Sequence, residues 1–400
     1  IGWWGDKACF TGRIITVIKI LKYNIVVLIM LVVIIELSTR SLSMVSGNGF
    51  FLRLDELEAW DKEVSGIYDW HPFIGFRFDE NRSFSGGHPN QSTISQVYTD
   101  EHGFLRQGEL EYSKENNEIR IATIGGSTTA NLNLNYEKNW PGRIGELLQE
   151  SYPDKKITII NAGIPGFDTS QNIGNLALRV MPFEPDVVII YHAYNDLKAI
   201  RSDDSFKPDY THIHNTPYGY HKQPGIVEIL MNESMFYVRM KNRSREQDKV
   251  IARAEELQSL YGKGDRMDSV PPIVSQTFSQ HVRSMVGIAK AGDAEVVLST
   301  FATLHDPNLD YTKDEAFGMQ SEFQKHSFLG ILHFTPGMSI NGVFSGISEY
   351  NGLITEIAKQ EQTQLVDTAN LLPHSATFFT DRVHFTEAGA EKMAQSFYPV

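Results

Sequence analysis

Four short segments of this chain carry side chains that together could run acyl-transfer chemistry: Gly125-Gly126-Ser127-Thr128, Asn161-Ala162-Gly163, Tyr194-Asn195-Asp196 and Asp381-Arg382-Val383-His384. A serine hydroxyl becomes a useful nucleophile only when a base takes its proton. The base needs a carboxylate to orient it, and the tetrahedral oxyanion needs donors aimed at the place where charge develops. Ser127 fits the nucleophile, His384 the base, Asp381 the orienting carboxylate, and the Gly163/Asn195 pair the oxyanion donors.

Each segment alone has a plainer reading. Two glycines let the backbone turn tightly before Ser127, and a helix starting there would offer unpaired N–H groups to an oxyanion. An isolated Gly-Gly-Ser-Thr is equally an ordinary helix cap after a turn. It is not the G-x-S-x-G elbow, because Thr129 stands where the last glycine would be. Gly163 alone is a turn glycine, and Asn195 is a turn residue after an apolar run, although its side-chain amide is a good donor. Asp381 and His384 could be an incidental pair in a surface loop, or a carboxylate that fixes the imidazole tautomer and leaves its other nitrogen for the serine proton. Elsewhere, His212 and His214 form an H-x-H pair without the carboxylate or cysteine partners of a metal site. The charges between 241 and 253 read as a solvated helix face, and Phe73, Phe76, Phe78 and Phe84 as core packing, with a sugar platform as the alternative.

The elements that must position these residues follow from periodicity. Residues 119–124 read as a strand ending in Gly-Gly, 140–151 as a helix with Pro141 in its first turn, and 156–161 as the next strand. A helix over 170–180 and a buried strand over 186–191, rich in Val and Ile, come next. The pattern is lost over 197–268, a polar insertion with a charged helix at about 244–260 that would lie over the site. It resumes with a helix at 272–291, a strand at 294–300, a helix at 343–360, a strand at 364–367 and a final helix capped by Thr386. Such alternation predicts a parallel sheet with right-handed crossovers. Ser127, Gly163 and Asn195 then each follow the carboxyl end of a strand, where open parallel sheets place their sites.

In this order the four segments resemble the SGNH/GDSL hydrolase family, whose blocks supply Ser, Gly, Asn and His in turn; the resemblance covers residues from about 119 onward. It implies an α/β fold of three layers, α/β/α, with a central parallel sheet of flavodoxin-like type. It also implies a serine esterase that needs no cofactor or metal. Ser127 would be the nucleophile and, through its N–H, the first oxyanion donor, with Gly163 the second and Asn195 the third; His384 would be the base and Asp381 its partner. The chain departs from the family pattern at Gly-Gly-Ser-Thr, where Gly-Asp-Ser-Leu is common, and at Ala193, where a glycine usually precedes the block Asn by two residues. Neither change removes a reacting group, but the Ala193 methyl would tighten or shift the oxyanion hole.

Composition bounds the partners. A formal charge of -13, from 36 basic and 49 acidic residues, disfavours a polyanion, so nucleic acid is not the expected substrate. A single cysteine, Cys9, excludes an intrachain disulfide. Residues 25–35 are uniformly apolar within a looser stretch at 14–37, enough to span a bilayer, which takes about 20 residues. Lys7, Arg13, Lys19 and Lys22 precede that core, so the expected topology is a single-pass anchor with the catalytic part extracytoplasmic. The rival is a signal peptide cleaved near Ser41-Leu42-Ser43, giving a secreted enzyme. The chain begins at Ile1, as expected where the translational start lies upstream.

The expected organisation is therefore a cytoplasmic tail and transmembrane segment over 1–37, a linker and lead-in extension over 38–117, with a polar linker at 38–48 and a charged helix at 52–65, and a hydrolase domain over 118–400. The expected activity is hydrolysis of an O-acetyl or other short acyl ester on a carbohydrate or small molecule. Two alternatives stand beside it: an O-acyltransferase of envelope or exopolysaccharide modification, and a non-catalytic glycan-binding protein of the same fold.

Overall fold

The computed structural model describes residues 5–45, 67–86, 95–106, 108–200, 206–214, 234–237, 239–240, 266–305, 331, 334, 335 and 337–398. The chain divides into two units, Ile1–Val64 with His221–Arg253, and Ser65–Tyr220 with Ala254–Val400.

The first unit is built on helix α1, Gly5–Val45. Its part Lys19–Val45, 27 residues with none of its apolar window buried, is long and apolar enough to cross a membrane. At about 1.5 Å per residue it is about 40 Å long, against about 30 Å for a hydrocarbon core. The helix runs on to Val45, where a polar linker was expected. Thr39 Oγ1 bonds back to the Ile35 carbonyl at 2.9 Å, and Arg40 pairs with Glu36 one turn earlier at 2.7 Å, so the polar residues are absorbed by the helix. Glu36 also accepts from Ser234 Oγ at 2.7 Å and Met235 N at 2.8 Å, which ties part of the insertion to α1. The helices expected at 52–65 and 244–260, and the charged stretch 241–253, lie outside the described residues.

The second unit opens with two antiparallel hairpins, β1 (Tyr68–His71) with β2 (Gly75–Phe78), and β3 (Ser83–Gly86) with β4 (Ser95–Tyr98). Phe76 and Phe78 are buried in a small core with Ile164 and Phe167, Phe76 meeting Phe167 edge-on at 4.9 Å, while Phe73 is exposed. Phe76 and Phe78 therefore pack the hairpins down, and Phe73, expected in the core, does not join it.

The central sheet has five parallel strands: β5 (Glu118–Gly125), β6 (Lys156–Asn161), β7 (Val187–Tyr191), β8 (Glu295–Ser299) and β9 (Gln364–Val366). Their spatial order is β6-β5-β7-β8-β9. Taken in chain order that is 2-1-3-4-5, the flavodoxin-like arrangement, whose direction of growth reverses between β5 and β7. In register, Gly125 pairs with Tyr191, and Tyr191 with Ser299, so the carboxyl ends of the strands form one edge.

Helices cover both faces. On one, α3 (Trp140–Ser151) packs with α7 (Glu387–Phe397); on the other, α5 (Pro272–Ala291) packs with α4 (Thr169–Asn175) and α6 (Ile340–Glu361). Their starts are set by side chains that accept from otherwise unpaired first-turn N–H groups: Asn139 from Gly142, Asp168 from Ser170 and Gln171, Ser339 from Gly342, and Thr386 from Gly389. The helix expected over 170–180 ends as a π-turn, Leu176–Val180. At the buried start of β5, Arg120 pairs with Glu118 at 2.9 Å and also donates to the Phe183 carbonyl at 2.8 Å. Burial alone would raise the Glu118 carboxyl, but hydrogen bonds from Arg120, Thr158 and the Glu115 N–H hold it down at about 2.

Candidate active site

Ser127 opens α2, Ser127–Ala130, a single turn directly after β5. Trp140 Nε1 donates to the Thr128 carbonyl at 2.9 Å, and Asn133 Nδ2 donates to the Phe385 carbonyl at 2.7 Å, which anchors the serine turn to the histidine loop. In that loop Asp381 Oδ1 accepts the Val383 and His384 N–H groups, each at 2.8 Å, so the carboxylate shapes the backbone that carries its own partner. His384 Nδ1 lies 2.7 Å from Asp381 Oδ2, and His384 Nε2 lies 2.8 Å from Ser127 Oγ. Residues 257 apart in sequence thus meet in a continuous Ser-His-Asp chain of hydrogen bonds, with Nδ1–H donating to the carboxylate and Nε2 able to accept the serine proton.

The expected oxyanion residues separate. A Cβ on Gly126 would meet Asn195 Nδ2 at 2.4 Å, so the missing side chain there is what lets Asn195 approach the Ser127 backbone. Asn195 Nδ2 gives one hydrogen to the Phe167 carbonyl at 2.7 Å and has a second for the pocket that Asn195 lines. Gly163 is placed differently from expectation. Its N–H donates to Asn161 Oδ1 at 3.1 Å, and a Cβ on it would meet Ala130 N at 2.4 Å, so it packs under α2 and is not among the pocket residues. Gly166 is. It occupies the third position of a turn closed by Phe167 N to Ile164 O at 3.1 Å, with Pro165 second and Gly166 at a φ of +83°. That is the type II pattern, in which only glycine is comfortable at the third position. The N–H groups of Ser127 and Gly166 have no hydrogen-bond partner among the described residues. The sequence signal for this residue was the Pro-Gly dipeptide. Ala193 lines the pocket, with φ at -171°, outside the left-handed region that favours glycine.

The pocket has a volume of about 220 Å³. Besides the reacting groups, Tyr194, Phe301, Phe334 and Arg382 form its wall. Tyr194 and Phe334 stack at 5.2 Å with an interplanar angle of 6°, and the Arg382 guanidinium lies over both rings, at 5.1 and 5.6 Å. Lys198 Nζ donates to the Gly166 carbonyl at 2.9 Å and sits 4.5 Å from the Phe334 ring centre. Burial pushes the Lys198 amine down to about 8 against the pull of Asp168 and Asp196. His192 also lines the pocket, but Asn172 Nδ2 contacts its Nε2 at 2.7 Å, so that nitrogen is engaged away from Ser127.

His212 and His214 do not converge. His212 Nε2 bonds the Ala199 carbonyl at 2.8 Å, whereas His214 Nε2 bonds Asp168 Oδ2 at 2.8 Å, and no metal-holding group of His, Cys, Asp or Glu occurs among the described residues.

A family profile described as "GDSL-like Lipase/Acylhydrolase family" matches residues 123–392. No curated protein matches the chain. Among solved structures, an acetyl xylan esterase, AlAXEase, is 14% identical, covering 70% of this chain and 98% of its own with a TM-score of 0.39. An acetylxylan esterase from Geobacillus stearothermophilus is 15% identical over 70% of this chain and 93% of its own, TM-score 0.39. A putative lipolytic protein of the G-D-S-L family from Desulfitobacterium hafniense is 13% identical over 70% and 98%, TM-score 0.37. With the profile spanning more than half of its length, including the segments that carry Ser127, Asn195, Asp381 and His384, the chain belongs to the GDSL-like lipase/acylhydrolase family of ester hydrolases.

Proposed function

We propose that the protein is a serine esterase that removes a short acyl group, such as acetyl, from a carbohydrate or other small ester. The observation that carries this reading is the Ser127-His384-Asp381 hydrogen-bond chain at the floor of the pocket. His384 takes the Ser127 proton as Oγ attacks the carbonyl. The oxyanion is met by the Ser127 and Gly166 N–H groups and the Asn195 amide, and the protonated His384 then donates to the departing alkoxide. Water, activated by the same imidazole, releases the acid from Ser127. The volume of about 220 Å³ favours a short acyl chain, being below the roughly 300–1,000 Å³ of sites for drug-sized ligands.

The apolar helix Lys19–Val45 is proposed to tether this site to a membrane with the catalytic part on the extracytoplasmic face, in keeping with the lysines that precede its core. The esterase reading is tested by hydrolysis of 4-nitrophenyl acetate and by labelling with a fluorophosphonate. Ser127→Ala is expected to lower kcat roughly 10⁶-fold and to abolish labelling. A wild-type protein that neither turns over aryl esters nor takes the label refutes it.

A further inference from the structure

We infer that the pocket accepts esters bearing a carboxylate close to the scissile bond, and that Arg382 is the residue that selects them. The inference rests on the esterase reading above. Arg382 stands between Asp381 and His384 in sequence and lines the pocket, with 16% of its side chain exposed. Its Nε donates to Tyr194 Oη at 2.6 Å, and the stacked rings of Tyr194 and Phe334 hold the guanidinium plane. Among the described residues, the carboxylate oxygen paired with it is Asp381 Oδ2, 4.0 Å from the guanidinium and already accepting from His384 Nδ1.

The two buried arginines are treated differently. Arg120 spends its terminal nitrogens on Glu118 and on the Phe183 and Ser113 carbonyls. Arg179 spends them on Asn175 Oδ1 and the His102 and Gly103 carbonyls. Arg382 has no acceptor within hydrogen-bond distance of its terminal nitrogens among the described residues, yet its fork is fixed at the pocket wall. Among the described residues the guanidinium has only the Asp381 carboxylate to balance it, at 4.0 Å and shared with His384, and its planar fork matches a carboxylate with two parallel bonds. Lys198 lies against the same Phe334 ring, behind the pocket wall, with its charge countered by Asp168 and Asp196.

The carboxylate could belong to the acyl half, as in a hemiester of a dicarboxylic acid, or to the alcohol half, as in an acylated sugar acid. The test compares mono-4-nitrophenyl succinate with 4-nitrophenyl acetate, and an O-acetylated methyl glucuronide with the matching methyl glucoside. In one of the two pairs, Arg382→Gln should lower the charged-to-neutral ratio of kcat/KM by about 10- to 100-fold, mainly through KM, as for loss of a charge-assisted pair. Arg382→Lys should restore part of that ratio, and added salt should erode it in the wild type. Because the ratio is read within one variant, general damage to the protein cancels. A measurement without any variant complements it: succinate should inhibit acetate-ester hydrolysis competitively, and succinamide should not. Equal loss on charged and neutral esters in Arg382→Gln, or equal inhibition by succinate and succinamide, overturns the inference while leaving the esterase reading standing. Absence of turnover for every ester refutes the esterase reading itself.

Discussion

Replacing Asp381 by Asn separates the two jobs of this carboxylate. Its Oδ1 accepts two backbone N–H groups at 2.8 Å, and its Oδ2 accepts His384 Nδ1–H at 2.7 Å. In Asp381→Asn the amide oxygen must remain on the two N–H groups, since the opposite orientation would point an NH₂ at two donors. The amide nitrogen then faces His384 Nδ1, which can meet it only as an acceptor. The imidazole proton moves to Nε2, 2.8 Å from Ser127 Oγ, and the base loses its lone pair. Loss of the correct tautomer in such a triad costs about 10⁴ in kcat, or about 5 kcal/mol at 1.36 kcal/mol per decade. The loop keeps both backbone hydrogen bonds, so stability should change by no more than about 1 kcal/mol. Steady-state hydrolysis of 4-nitrophenyl acetate measures the first quantity and urea unfolding the second. A kcat within tenfold of wild type would refute the orienting role. A large loss of stability accompanying the fall in rate would make the carboxylate a structural part of the loop.

Two further outcomes test other links. Asn195→Ala should lower kcat by about 10²–10³ through loss of an oxyanion donor, and a near-normal rate on aryl acetate would remove Asn195 from that role. Glu118→Gln leaves the buried Arg120 without its charge partner and should destabilise the fold by about 3–5 kcal/mol in urea unfolding. The Glu118 carboxyl, held at about 2 against an ordinary 4.5, contributes stability that is fully present above pH 4.5 and is lost as pH falls through about 2. The wild type should therefore lose stability across that interval more steeply than Glu118→Gln; parallel acid-unfolding curves would contradict the assignment.

Much of the scaffold could be read from local patterns. The helices at Trp140–Ser151 and Pro272–Ala291 begin and end where sequence reasoning put them, because a capping Asn or a Pro marks the start and the apolar stripe keeps its period throughout. Helix α6 starts three residues before the expected 343 because Ser339, not an apolar residue, sets its first turn. That Ser127, His384 and Asp381 belong together was legible from the order of their segments, and the three side chains are hydrogen-bonded in the fold. That Gly166 and not Gly163 lines the pocket was not, since both follow β6 and only the turn geometry separates them. Arg382 was visible as a letter between two catalytic residues. Its seat on Tyr194, 188 positions away, is a tertiary fact with no local signature.

The serine turn and the histidine loop join across nearly the whole length of the hydrolase fold, through the contact of Ser127 with His384 and of Asn133 with Phe385. During synthesis Ser127 emerges early, just after the inner strand β5, whereas His384 arrives only after β8, β9 and the large helices α5 and α6 have been made. Chains assemble from the N-terminal side as they are produced. A partly made molecule therefore carries Ser127 without His384, and the hydrogen-bonded trio closes only when the last segment arrives.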